Sequence, residues 1–391
     1  MNILMVSDVY FPRINGVSTS IQTFKNEFEQ LGHQVSLIAP DYNHESKSDE
    51  KHIYRISSRA IPYDPEDRMM SYKAILRLSS MLEKQNFDLI HIHTPFVAHY
   101  AGVKLGKILN IPCIATYHTL FEEYLYHYIP LVPKQILRFF ARRFSSSQND
   151  QVQGVIAPSS IIVNLLKEYG VQNNITIIPT GIDSKKFATG NPDNFKSTHN
   201  VPANKRILLN VSRIAFEKNM GVLIEMLQYV KQEIPDIHLV IAGEGPAKKS
   251  YMELANKLGL NDTISFVGYL DRDTELVDCY HSADVFVFSS KTETQGLVLL
   301  EAMAAGTPVV SVAEMGTRDV LKDCLAAKIT TGEVRDFAEK VISVLKNQDI
   351  LNSLTSEAKP YAATWDSTAL AKKMLEFYQI VLNSNQDGAT K

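Results

Sequence analysis

DVFVFSSKTETQGLVLLEAMAAGTPVV, residues 284–310, carries an apolar run, a polar loop, a helical stretch and a second apolar run in succession. DVFVF has the compact apolar character of a strand buried on both faces of a parallel sheet, and it ends in Ser289-Ser290. Gly296 opens a helix bearing Glu301, and Gly306-Thr307-Pro308 stops that helix before the next strand. Strand, helix and strand in this order make a βαβ unit, so the chain is read as α/β with a parallel sheet.

The same alternation extends in both directions. RILLNVSR, IHLVIAG, ISFVGYL, DVFVFSS and TPVVSV form one series of strands, and NILMVS, QVSLIAP, DLIHIH, CIATY and GVIAP form an earlier one. Two successive βαβα blocks predict two doubly wound domains, as does a length of 391 residues at about 100–200 per domain. The seam is expected near IPTGIDSKKF or in the polar stretch from Thr189 to Lys205. The expected boundaries are residues 1–181 and 182–363, with residues 364–391 completing the first domain. Leu370, Met374, Phe377 and Val381 recur there at helical spacing, and that apolar stripe needs a surface to cover. The last residues, NSNQDGATK, are expected to be disordered. After the first strand, Ser18 and Thr19 are candidate caps of a helix with a stripe of Ile21, Phe24, Phe28 and Leu31, ended by Gly32.

Composition narrows the function. Apolar residues are 45% and charged residues 21%, the balance of a soluble globular chain, and no apolar run approaches the ~20 residues of a membrane span. A net charge of −3 argues against a general nucleic-acid binder. Cys113, Cys279 and Cys324 stand far apart in no metal-like spacing and read as core residues of a reducing compartment. MNILMVSDVYFP runs into a strand pattern without a basic leader, so no signal peptide is read and the cytoplasm is the expected location.

In open parallel sheets ligands bind beyond the carboxyl ends of strands, so chemistry is sought in the loops there. Gly296 removes side-chain bulk where the amides of a helix N-terminus can meet a phosphate. Glu301, among Leu300, Ala302 and Met303, is a charge in apolar company that needs a partner, and it suits vicinal hydroxyls such as a ribose. Glu293 can reach another polyol from its loop; the plainer reading makes both glutamates helix-dipole and surface charges. In VSRIAFEKN, Arg213 and Lys218 follow a strand and precede a helix, where two cations suit a diphosphate. FPRINGVSTS places Gly16 before a helix but contains no GxGxxG, which argues against a dehydrogenase. TYHTL puts His118 just past a strand, and AGEGP supplies a turn with Gly243, Glu244 and Gly245. His91 and His93 alternate along a strand and are expected on opposite sides of it, which disfavours joint metal ligation. Asp271 and Asp273 in LDRDTE read as capping and surface acids.

Two glutamates separated by seven residues and followed by AMAAGTPVV resemble the donor-site motif of retaining GT-B glycosyltransferases of the family-four type. The resemblance implies two Rossmann-like domains facing across a cleft, with the C-terminal helix packing back on the first domain. It implies that Arg213 and Lys218 bind the donor diphosphate and that Glu301 holds the ribose. Glu293 and the backbone of Gly296, Leu297 and Val298 would hold the sugar and its phosphate. Gly243, Glu244 and Gly268 fall on the donor side, and Gly16 is placed for close approach. Asn15-Gly16 departs from the family's usual glycine pair. His118 would lie near the transferred sugar, so the catalytic set is His118, Glu293, Arg213 and Lys218. No permanently bound cofactor and no essential metal are implied; the donor is a nucleotide diphosphate sugar, UDP-glucose above others.

On the acceptor side, no acidic residue falls between Glu123 and Asp150, whereas Lys134, Arg138, Arg142 and Arg143 do. The helix 134–144 sets Lys134, Arg138 and Arg142 on one face and Ile136, Leu137, Phe140 and Phe144 on the other. That pattern suits an anionic membrane surface, and equally a core helix whose polar face is basic. TYHTLFEEYLYHYIP together with the Glu293–Glu301 stretch resembles the diacylglycerol glucosyltransferases of the α-monoglucosyldiacylglycerol synthase type, which implies a lipid acceptor and a peripheral place on the inner face of the membrane. A soluble glycosyltransferase acting on a sugar or polysaccharide, a nucleotide-sugar epimerase and a nucleotide-sugar binding protein without transfer activity stay open as alternatives.

Overall fold

The computed structural model describes residues 1–42, 51–61, 64–118 and 134–389, with backbone alone for 64–67, 134–140 and 386–389. The chain forms two compact units, Met1–Gly181 with Ser367–Lys391, and Ile182–Asp366.

The first unit contains β1 (Asn2–Val6), β2 (Gln34–Pro40), β3 (Ile53–Ile56), β4 (Ser58–Ile61), β5 (Asp64–Met70), β6 (Leu89–Ile92), β7 (Cys113–Thr116), β8 (Gly154–Ala157) and β9 (Ile175–Ile177). Seven of them make one sheet in the order β3-β2-β1-β6-β7-β8-β9, while β4 and β5 pair apart from it as an antiparallel ribbon. Every pairing in the main sheet is parallel, as Met5 beside Leu37 on one side and His91 on the other illustrates. The order turns back on itself between β1 and β6, and there the strand ends leave a crevice for a ligand.

The first helix, Gly16–Gln30, is capped by Asn15, whose side chain accepts a hydrogen bond from the Ser18 amide, rather than by Ser18 or Thr19. Asn15 is extended and offers a short acceptor, so the helix begins as soon as a cap allows. Its buried face, Ile21, Phe24 and Phe28, meets the final helix, Ser367–Ala389, through Met374, Phe377, Tyr378 and Val381. Glu27 fixes the start of that helix by accepting hydrogen bonds from Ser367 Oγ at 2.5 Å and Thr368 Oγ1 at 2.8 Å. The helix continues to Ala389, through most of the tail expected to be disordered, because extending an existing helix costs little and no glycine interrupts it before Gly388.

Gly154 admits the Phe377 ring: a Cβ there would stand 2.8 Å from Phe377 Cζ. Phe377→Ala should therefore cost about 3 kcal/mol, the range for deleting a buried aromatic ring, and urea unfolding of the full chain measures it.

The second unit contains β10 (Arg206–Val211), β11 (Ile237–Ala242), β12 (Ile264–Gly268), β13 (Val285–Phe288), β14 (Val309–Val312) and β15 (Ala327–Thr330). They form one parallel sheet in the order β12-β11-β10-β13-β14-β15, with the reversal between β10 and β13. Alternation along the strands divides the core. Leu209, Phe286 and Phe288 pack with Leu299 and Met303 in one cluster, while Leu208, Val285 and Val287 pack with Leu223, Leu227 and Val341 in the other. Both faces are covered by helices, which is why these strands read as continuous apolar runs.

Candidate functional site

In the second unit the loops after β10 and β13, the two strands at the reversal, carry most of the expected residues. Beyond β10, Ser212 and Arg213 lead into the turn Phe216–Lys218, and Asn219 adopts the left-handed conformation (φ 54°) before the helix Gly221–Glu233. Asn tolerates that conformation better than most side chains. Ser289, just past β13, donates to the backbone carbonyls of Lys218 and Asn219, binding the two loops together. Across this junction Lys218 Nζ meets Glu293 Oε1 at 2.5 Å, with the two side chains 18% and 20% exposed. Arg213 Nη1 lies 3.9 Å from Glu217 Oε1 in the same turn.

Glycines bring the backbones close. Gly243 has φ +135°, and a Cβ on it would lie 2.0 Å from the Ser212 carbonyl oxygen. The amide of Ile214 donates to the Glu244 carbonyl and that of Gly243 to Gly268 O, so AGEGP runs against the Arg213 loop. Gly296, with φ +91°, precedes the helix Leu297–Ala305, which no side chain caps. The Leu299 amide donates to the Gly296 carbonyl, whereas those of Leu297 and Val298 have no side-chain cap, the arrangement that receives a phosphate. Behind it, the Gly316 amide donates to the Glu293 carbonyl, and Gly316 lies so close to Thr294 that any side chain would strike the Thr294 carbonyl.

Glu301 is differently placed. It is 4% exposed, and each carboxylate oxygen already accepts a hydrogen bond, Oε1 from Arg272 Nη2 at 2.6 Å and Oε2 from the Tyr280 hydroxyl at 2.7 Å. Its charge is thus balanced by a cation 29 residues upstream. Asp271 Oδ1 accepts from the Asp273 and Thr274 amides and the Thr274 hydroxyl, an ordinary turn cap, and Asp273 pairs with Lys186.

In the first unit the ends of β1, β6 and β7 gather buried polar groups. Asp8 accepts from the Thr94 hydroxyl at 2.7 Å and the Ala98 amide at 3.1 Å, and burial raises its carboxyl to about 7. His91 bridges Thr116 Oγ1 and the Tyr378 hydroxyl, each at 2.6 Å. His93 Nδ1 and His118 Nε2 are 3.2 Å apart. The rings of His91 and His93 lie with centroids 4.0 Å apart, on one side of the sheet and not on opposite sides. Residues two apart on a strand share a face, so alternation places this pair together. Gly16 starts the first helix with open space around its Cα.

With this geometry in view, the profile described as "Glycosyltransferase Family 4" matches residues 14–186, and that described as "Glycosyl transferases group 1" matches residues 192–361. An α-monoglucosyldiacylglycerol synthase of Streptococcus pneumoniae is 32% identical over 98% of this chain and 87% of its own. This chain is a family-four glycosyltransferase. A second α-monoglucosyldiacylglycerol synthase, from Acholeplasma laidlawii, is 26% identical over the whole of both chains. Among solved structures, Anabaena HepE in complex with UDP-glucose superposes with a TM-score of 0.78 at 18% identity, covering 97% of this chain and 99% of that one. The fold is GT-B, with two Rossmann-like domains, each built on a parallel sheet.

Within this glycosyltransferase, Lys218, Glu293 and the Gly296 helix start are drawn together, with Arg213 in the same turn. Sequence reading missed Arg272, Tyr280 and Ser289. Of these, Arg272 had one usable signal: Glu301 needed a cation, and LDRDTE supplies one. The first unit holds a further feature, a set of histidines kept neutral by burial. His91 is lowered to about 3, His99 and His118 to about 4, and His93 well below its ordinary value. A histidine whose folded value is depressed contributes stability that is complete above about 6.5 and is lost as pH falls toward the folded value. Asp8, raised instead of lowered, opposes this between about 4 and 7 but is one group against four. Thermal unfolding of the enzyme should accordingly show its midpoint falling steadily between pH 7 and 5. The loss is of order 1 kcal/mol per pH unit for each histidine.

Proposed function

We propose that this glycosyltransferase moves a hexose, glucose, from a UDP-linked donor to a lipid acceptor such as diacylglycerol, forming an α-glycoside with retention. The observation that carries the reading is the Lys218–Glu293 junction at the strand reversal of the second unit, beside an uncapped helix start. The glycolipid products named for the two synthases, and the UDP-glucose held by the HepE structure, support the choice of acceptor class and donor.

In this scheme the unit Ile182–Asp366 takes the donor and the unit Met1–Gly181 the acceptor. Arg213 and Lys218 offset the charge that develops on the departing diphosphate, aided by the amides of Leu297 and Val298. Lys218 keeps ammonium hydrogens beyond the one given to Glu293, so the pair orients the cation without consuming it. Glu293 accepts from hydroxyls of the sugar. Glu301, held by Arg272 and Tyr280, retains lone pairs for the ribose hydroxyls. Gly243, Glu244 and Gly268 shape the donor turn, and His118 lies near the reacting sugar. The acceptor attacks on the face from which the diphosphate leaves, and the leaving phosphate takes its proton. No essential metal takes part.

The helix Lys134–Asn149 serves as the membrane contact, with Arg142 and Arg143 exposed on it; the side chains of Lys134 and Arg138 lie outside the described residues. Among the described residues no helix is long and apolar enough to cross a membrane. In this reading the enzyme works, through the basic helix, as a peripheral protein on the inner face of the membrane.

A mass-spectrometric screen tests the reading, pairing UDP- and GDP-sugars with diacylglycerol, phosphatidylinositol and simple sugars. Glucosyl-diacylglycerol formed from UDP-glucose is the expected product, and transfer to soluble sugars alone would overturn the lipid assignment. Sedimentation with phosphatidylglycerol vesicles should show binding that weakens with salt, since surface attraction falls within a Debye length.

A further inference from the structure

A pocket in the first unit is lined by residues that the scheme above leaves largely unused. Thr94, His99, Thr116, His118, Gln148 and Asn149 supply its polar wall. His99 sits in the opening turns of the helix Val97–Leu109, is 3% exposed, and its buried Nε2 has no hydrogen-bond partner among the described residues. An imidazole nitrogen sealed from water and left unpaired is costly, so a group arriving in the pocket would relieve it. Gln148 and Asn149 have committed their amide nitrogens, Nε2 to the Pro95 carbonyl at 2.5 Å and Nδ2 to the Ser145 carbonyl at 2.7 Å. Their side-chain oxygens are the ends left to accept.

The charge of the wall decides the ligand class. No Asp, Glu, Lys or Arg is among the described lining residues. Burial keeps both His99 and His118 near 4, so at neutral pH neither carries a proton's charge. An anionic group entering would meet no cation, whereas hydroxyls would find both donors and acceptors.

We propose that this pocket is a subsite for an uncharged group bearing hydroxyls, the hydroxyl-bearing head of the acceptor, and that it discriminates against phosphorylated heads. The inference rests on the assignment of the first unit to the acceptor. The hexose of the donor has the same hydroxyl chemistry, and the test separates the two sources.

Full-length enzyme is assayed with UDP-glucose and vesicles containing diacylglycerol, and phosphatidic acid is added as competitor. His99→Phe and Asn149→Leu should each raise the acceptor KM about ten-fold, the effect of one lost hydrogen bond with its partner stranded. UDP affinity by calorimetry should stay unchanged, His99→Gln should recover part of the loss, and phosphatidic acid should compete poorly. Unchanged acceptor KM in both variants, with thermal midpoints at the wild-type value, would overturn the proposal. So would variants that alter UDP-glucose affinity relative to UDP, which would move the pocket to the donor hexose, or phosphatidic acid competing as well as diacylglycerol. Should the wild-type enzyme not glucosylate diacylglycerol, saturation-transfer NMR with monooctylglycerol reads the subsite alone. Contact to the glycerol protons that His99→Phe abolishes then sustains it, and no contact ends it.

Discussion

Lys218→Ala should lower kcat by about 100- to 1,000-fold while leaving the fold intact, the loss seen when one preorganised charge-stabilising group is removed. The side chain is anchored at both ends of its short reach. Its backbone carbonyl is held by Ser289, and its ammonium is held by Glu293 at 2.5 Å. A cation already fixed before the reaction needs no reorganisation as negative charge builds on the diphosphate, which is where preorganised groups act most strongly. Arg213 remains in the same turn, so activity should fall and not vanish. Lys218→Arg restores the charge but cannot place it at the same point, and should recover only part of the rate. Single-turnover kinetics with UDP-glucose measure the chemical step, and calorimetry with UDP measures what remains of donor binding. Wild-type turnover in Lys218→Ala would remove Lys218 from the donor site.

The fold was legible because apolar runs and helical stripes repeat with little interruption. DVFVF and RILLNV are buried strands, and the stripe Met374, Phe377 and Val381 does cover the first unit. What escaped depended on direction and on distance along the chain. His91 and His93 lie side by side and not on the opposite faces expected, because residues two apart on a strand share a face. Tyr378 against His91 spans 287 residues, and no local pattern announces such a bond. The helix cap at Asn15 does not stand out in the sequence because Ser18 and Thr19 are equally good cap types, and only backbone conformation separates them. Glu301 shows the limit most clearly. A carboxylate in an apolar stretch declares that it needs a partner, but which cation comes to it is settled by tertiary packing alone.

Arg272→Ala should accordingly be the most damaging substitution for the stability of the second unit. It strips the cation from a carboxylate that is 4% exposed, and breaking a buried pair from one side costs about 3–5 kcal/mol. For a unit of this size each kcal/mol moves the midpoint by about 2–4 °C, so thermal unfolding should shift down by roughly 10 °C. Tyr280→Phe removes one hydrogen bond from the same carboxylate but leaves its cation, and should cost only about 1–2 kcal/mol. Donor affinity adds an independent reading. If Glu301 serves the ribose, Arg272→Ala should weaken UDP binding, and a 2′-deoxy donor should lose less affinity on the variant than on the wild type, because the carboxylate that reads the hydroxyl is no longer held in place.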